Sequence, residues 1–118
     1  MALQLPDLDR FSLHVTIYLK AEDVPTFFEA FRPAFDAVSA EPECVYFELF
    51  QDPADPGTIS WIENWERSPE WLMTNQIPKD YYKPYFAATE PLFVRPREFK
   101  MLKRVGAPYV VSKAENLR

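Results

Sequence analysis

The sequence holds one histidine and one cysteine, which narrows the options for acid–base and covalent chemistry. The single histidine, His14, is the group best suited to move a proton near neutral pH. The single cysteine, Cys44, opens an apolar stretch with no neighbouring base to ionise it, so thiol nucleophilicity is not expected. Glu41, Glu43, Glu48 and Asp52 are spread over a turn and a strand and read as solvated surface, not as ligands of a hard metal. Tyr81, Tyr82, Tyr85 and Phe86 form an aromatic cluster interrupted by Lys83 and Pro84. Such a cluster suits a wall for a flat aromatic ligand, with Tyr81 and Tyr82 offering hydroxyls, while Tyr85 and Phe86 suit packing of a helix on a sheet. Gly57 and Gly106 are the only glycines, too few for a phosphate-cradling loop. One cysteine also rules out an internal disulfide and a zinc cage.

The elements that must position these groups follow from periodicity. Phe11 to Lys20 alternates, with Leu13, Val15, Ile17 and Leu19 on one side and Ser12, His14, Thr16 and Tyr18 on the other, which predicts a strand. Ala21-Glu22-Asp23 offers an acidic helix start. Val24, Phe27, Phe28, Phe31, Phe35 and Val38 then fall on one helical face, with a kink or break expected at Pro33. Cys44 to Gln51 and Thr58 to Trp65 read as two strands joined by the turn-rich Asp52-Pro53-Ala54-Asp55-Pro56-Gly57. On the first of these, Tyr46 and Phe50 point one way and Val45, Phe47 and Leu49 the other. Ser68 as N-cap and Pro69 at the first position start a helical stretch to about Ile77, broken at Pro78. It resumes from Asp80 to about Thr89, with an interruption at Pro84. A last strand, Phe93 to Val105, is expected to break at Pro96, and residues 106–118 form an arm or a disordered tail.

The order β-α-β-β-α-β predicts an α+β, ferredoxin-like domain over residues 1–105, with a four-stranded antiparallel sheet and both helices on one face. At 118 residues one core suffices. Two helices cover one face only, yet the second strand carries bulky apolar groups on both, so packing of two sheets face to face about a two-fold axis is expected. The net charge of −5 and the loose run Arg95, Arg97, Lys100, Lys103 and Arg104, which alternates with Phe99, Met101 and Leu102, argue against a nucleic-acid partner. No signal-like N-terminus and no apolar run of membrane length is present, so a cytoplasmic protein without a membrane partner is expected.

Three stretches together resemble the antibiotic-biosynthesis-monooxygenase family of dimeric α/β-barrel proteins. They are the first strand with Phe27-Phe28-Glu29-Ala30-Phe31, the turn and strand Glu41-Pro42-Glu43-Cys44-Val45-Tyr46-Phe47-Glu48-Leu49, and Gln51 to Gly57 followed by Trp61-Ile62-Glu63-Asn64-Trp65-Glu66, whose end is similar to the family's E-x-W. The resemblance spans roughly residues 11–105. It implies a homodimer with a pocket in each subunit between sheet and helices, and a range of chemistries among which fold alone does not choose.

Within that resemblance Trp65 matches the strand-end tryptophan that borders the pocket in several members. His14 lies near the polar first-strand residue of haem-degrading relatives. The helix-two histidine of many members has no counterpart, since Asn75 occupies that approximate position in Trp71-Leu72-Met73-Thr74-Asn75-Gln76. A neutral amide is a poor axial ligand, which speaks against haem. The implied function is a cofactor-independent monooxygenase of secondary metabolism, taking a phenolic or polyketide-like aromatic and O2 with no metal. Here His14, Trp65, Asn75 and Tyr82 are the expected catalytic residues, and Thr16, Trp61, Tyr81, Tyr85 and Phe86 line the substrate site. The alternatives are a lyase, decarboxylase or cyclase using the same pocket, and a non-catalytic small-molecule-binding or stress-response dimer.

Overall fold

The computed structural model describes residues 4–113. Four strands, β1 (Phe11–Leu19), β2 (Cys44–Gln51), β3 (Thr58–Trp65) and β4 (Phe93–Lys103), form one antiparallel sheet in the order β2-β3-β1-β4. Helix α1 (Val24–Ser39) connects β1 to β2. Between β3 and β4 lie the short α2 (Pro69–Trp71), which widens into a π-helical turn (Leu72–Gln76), and α3 (Tyr82–Thr89). This is the expected ferredoxin-like α+β architecture.

Strand alternation sets the core. Phe11, Leu13, Val15, Ile17 and Leu19 of β1 and Ile59, Trp61 and Trp65 of β3 are buried on the helix-facing side. Helix α1 lays Val24, Phe27, Phe31, Ala34 and Val38 onto them. Phe31 is the pivot of this contact, with its ring 5.0 Å from Trp61 and 6.0 Å from Phe47. Each such large apolar side chain contributes about 1.5–3 kcal/mol on burial. Gly57 lets the β2–β3 hairpin close on β1, because a Cβ there would stand 2.0 Å from the Leu19 carbonyl oxygen.

Proline explains most departures from the sequence reading. Pro33 does not break α1: it lies on the exposed side, where water can take up the carbonyl it leaves unpaired, and an Arg32–Asp36 ion pair spans it. Pro84 falls in the first turn of α3, where its missing N–H has no intrahelical partner to lose, so it causes no interruption. Pro96 does not break β4, because β4 is an edge strand and carries irregular register opposite Thr16 to Leu19. The strand ends at Lys103, two residues before the expected Val105. A bulge also alters β2. Cys44 pairs with Trp65 and Tyr46 with Asn64, so Val45 is the extra residue and is 51% exposed, while Cys44, Phe47 and Leu49 share the helix-facing side. Ser68 caps α2 as expected, its Oγ accepting from the Trp71 amide at 3.0 Å. Part of the C-terminal segment expected as an arm, residues 114–118, lies outside the described residues.

Candidate functional site

Between the sheet and the helices lies a cavity of about 200 Å³. Its floor is laid by Leu13 and Val15 of β1 and Trp61 and Glu63 of β3. Its roof comes from Phe31 of α1, Leu72, and Tyr82, Tyr85 and Phe86 of α3. Met73 and Phe99, 40% and 47% exposed, and Arg97 complete the lining. The walls are mostly apolar with a few polar groups, the usual composition of a small-molecule site.

Glu63 is the chemical centre of this cavity. Alternation along Ile59-Trp61-Glu63-Trp65 places a carboxyl among core residues, flanked across the sheet by Leu13 and Phe47. The Trp61 indole donates to its Oε2 at 2.8 Å and the Trp65 indole to its Oε1 at 3.0 Å. Burial pushes the Glu63 carboxyl up to about 7, against the pull of the two indole donors. A group with that affinity both holds and releases a proton near neutral pH, the requirement for general acid–base work.

A second polar chain reaches the cavity from the helices. The π-helical turn, closed by the Ile77 amide on the Leu72 carbonyl, shifts the helix phase and brings Gln76 into the interior. Gln76 is fully buried, and its Nε2 donates to the hydroxyls of Tyr81 at 2.5 Å and Tyr82 at 3.0 Å. Tyr81 in turn donates to Glu41, which also pairs with Lys79. Those contacts, led by Lys79, hold the Glu41 carboxyl below its ordinary range, while burial and the Glu41 contact raise Tyr81 to about 12. Tyr82 is raised as well, chiefly by burial, and stays a neutral phenol. Because the Tyr82 oxygen accepts from Gln76, its own proton is free to be donated to a ligand.

The nine residues singled out from sequence divide three ways. Trp61, Tyr82, Tyr85 and Phe86 line the cavity. Trp65 and Tyr81 do not line it but touch groups that govern it, Trp65 through Glu63 and Tyr81 through Gln76. His14, Thr16 and Asn75 are not brought there. His14 and Thr16 lie on the opposite face of the sheet, where His14 Nε2 is 2.9 Å from Ser12 Oγ and Thr16 is 3.1 Å from Ser60 Oγ. Asn75 is exposed and donates to Thr74 Oγ1 at 3.0 Å. Glu63, Gln76 and Arg97 were not singled out from sequence. The period-two run of β3 carries the signal for Glu63, and alternation with Phe99 and Met101 carries it for Arg97. Nothing in the sequence marks the π-turn that buries Gln76. Burial raises the Cys44 thiol to about 12, which leaves it protonated and unreactive. Among the described residues, no three His, Cys, Asp or Glu side chains converge on a possible metal position, and no helix is long and apolar enough to cross a membrane.

A four-stranded antiparallel sheet with helices on one face and a cavity between them defines a ferredoxin-like α+β domain. Residues 10–73 match the antibiotic biosynthesis monooxygenase family. A protein of Pestalotiopsis microspora that bears the name of a monooxygenase is 34% identical over 94 residues, covering 80% of this chain and 78% of that protein. The chain therefore belongs to the antibiotic biosynthesis monooxygenase family. Solved structures share the fold at low identity. One from Nitrosomonas europaea, named for the same family, superposes with a TM-score of 0.73 at 16% identity over 89% of this chain and 96% of its own. Rv0793 from Mycobacterium tuberculosis does so with a TM-score of 0.71 at 15% identity over 84% and 98%.

Proposed function

We propose that this protein is a cofactor-independent monooxygenase acting on a phenolic or polyketide-like aromatic, with Glu63 as its proton-transfer group. The observation that carries this reading is the Trp61–Glu63–Trp65 triplet: a buried carboxyl, poised near pH 7, in the floor of an aromatic-walled cavity. The ionised Glu63 takes a proton from an activated CH2 of the bound substrate, as in an anthrone. The resulting carbanion, its charge delocalised onto a ring oxygen that accepts from Tyr82, reduces O2 and forms a C–O bond. Protonation gives a hydroperoxide. Loss of the second C–H proton with cleavage of the O–O bond leaves a carbonyl and one water, so CH2 and O2 become C=O and H2O. The apolar walls keep bulk water from the carbanion.

The outer face of the sheet then packs on that of a second copy. Phe50 and Leu102, each 43% exposed, and the buried Asn64 Oδ1 on that face, which has no partner among the described residues, support this. Light scattering at micromolar concentration checks it, with a monomer as the opposing result.

The same acid–base pair would serve a lyase, decarboxylase or cyclase, and oxygen dependence separates the readings. Purified, metal-stripped protein is tested against anthrones, hydroquinones and polyketide phenols in air and under nitrogen. Oxygen uptake with oxygen gained by the product supports the oxygenase. Turnover that persists under nitrogen favours the non-oxidative alternatives, and no turnover on the panel favours a binding protein.

A further inference from the structure

Arg97 is the one cation among the described residues that line the cavity. Its side chain is 31% exposed, and Nη2 donates to Glu90 Oε2 at 2.9 Å. A partly solvated ion pair of this kind, with a Glu90 side chain 50% exposed, binds weakly and exchanges readily. It also engages one N–H of a guanidinium that has five. The plane of the group is steadied by aromatic neighbours, its carbon lying 5.3 Å from the Phe86 ring centroid and 5.7 Å from that of Phe93. The charge also reaches Tyr85 in the roof, where it counters the upward push of burial on the phenol.

The cavity is thereby polarised along its length. Glu63 lies in the row of Leu13 and Met101, 8% exposed and held by neutral indoles, where an anion would meet burial and a like charge. Arg97 sits four residues along β4 from Met101 and is more exposed. Its guanidinium has donors beyond the one given to Glu90, where a carboxylate would find a charge-assisted and bidentate partner. Aromatic and aliphatic walls lie between. A ligand with one anionic end has a single favourable direction of entry.

We propose that Arg97 recognises a carboxylate on the substrate, so that the preferred ligand is an aromatic acid bound with its carboxylate at Arg97 and its phenolic or enolic end toward Glu63 and Tyr82. This rests on the cavity being the substrate site, and it deepens that reading by fixing the substrate class and its orientation. Glu90 is the resident counter-ion that the ligand's carboxylate joins or displaces.

The test is equilibrium binding of anthraquinone-2-carboxylate and of its uncharged methyl ester at pH 8, followed by quenching of tryptophan fluorescence. The wild-type protein is expected to bind the carboxylate about tenfold more tightly than the ester, the factor that 1.4 kcal/mol corresponds to. Arg97→Gln abolishes that preference while leaving the ester within about twofold, as expected when only the charge-assisted contact is lost. Glu90→Gln, which removes the competing carboxylate, tightens binding of the acid about two- to fivefold and leaves the ester unchanged. Circular dichroism establishes that both variants are folded. Equal affinity of the two probes in the wild type, or a preference that survives Arg97→Gln, overturns the assignment of Arg97 and leaves the cavity as a ligand site. Failure of both probes to bind overturns the assignment together with the reading of the cavity. Binding requires no turnover, so failure of the oxygenase test alone does not touch this result.

Discussion

The two faces of the sheet differ in kind. The helix-facing side carries Phe11, Ile17, Ile59 and Trp65 at no exposure, and its one acid is enclosed by indoles. The outer side carries Ser12, His14, Thr16, Ser60 and Asn64, interspersed with exposed Phe50 and Leu102. Both sides bear titratable groups, but their settings differ. His14 has Ile62 and Lys100 as cross-strand neighbours on the outer face, while Glu63 has Leu13 and Phe47 on the helix-facing one. The lesson is that chemical potential depends on the face more than on the residue type. An ordinary carboxylate acquires a neutral-range affinity by desolvation.

The largest expected difference is in packing. Trp65→Ala removes a fully buried indole and leaves Glu63 Oε1 without its donor, so it costs about 3–5 kcal/mol in denaturant unfolding. Phe50→Ala on the outer face costs less than about 1 kcal/mol within the monomer, since its ring is already partly in water. Similar losses for the two would erase the contrast.

The next difference is in pH dependence. Glu63 ionises near 4.5 in the unfolded chain but holds its proton to about 7 in the fold. Folding therefore takes up a proton between these values, and stability falls as pH rises through the window and levels off above it. The whole fall is about 3 kcal/mol. Glu63→Gln flattens it in unfolding curves measured from pH 4.5 to 8. The depressed affinity of Glu41 acts at lower pH and stays out of that range.

A smaller effect sharpens the helix side alone. Gln76→Leu strips a donor from both Tyr81 and Tyr82 and costs about 1–3 kcal/mol, the penalty for leaving the buried Tyr82 hydroxyl without its partner. It should also lower turnover, because Tyr82 loses the contact that orients its free proton. The smallest effect is on the outer side. His14→Ala removes one contact with Ser12 and changes stability by about 0.5–1 kcal/mol.

Much of this contrast was legible in the chain. The alternation of Phe11 to Leu19, the face of α1, the Ser68 cap and the βαββαβ order follow from local patterns that tertiary packing did not override. The prolines were harder to read, because their cost depends on whether the lost hydrogen bond faces solvent, a first turn or a sheet edge. The site was half legible. Aromatic side chains on α3 and β3 point to the cavity, while His14, singled out by residue type, lies on the other face of the sheet. Glu63 needed its strand parity to be read together with its burial. Gln76 depends on a π-turn for which the sequence carries no mark.

The most direct measurement compares oxygen uptake on an anthrone by the wild type, Glu63→Gln and His14→Ala at pH 7.5. The account predicts that Glu63→Gln lowers kcat by about 10²–10⁴, the usual contribution of a proton-transfer group, while His14→Ala stays near the wild-type rate. Retained activity in Glu63→Gln together with its loss in His14→Ala would contradict the account and move the chemistry to the outer face of the sheet.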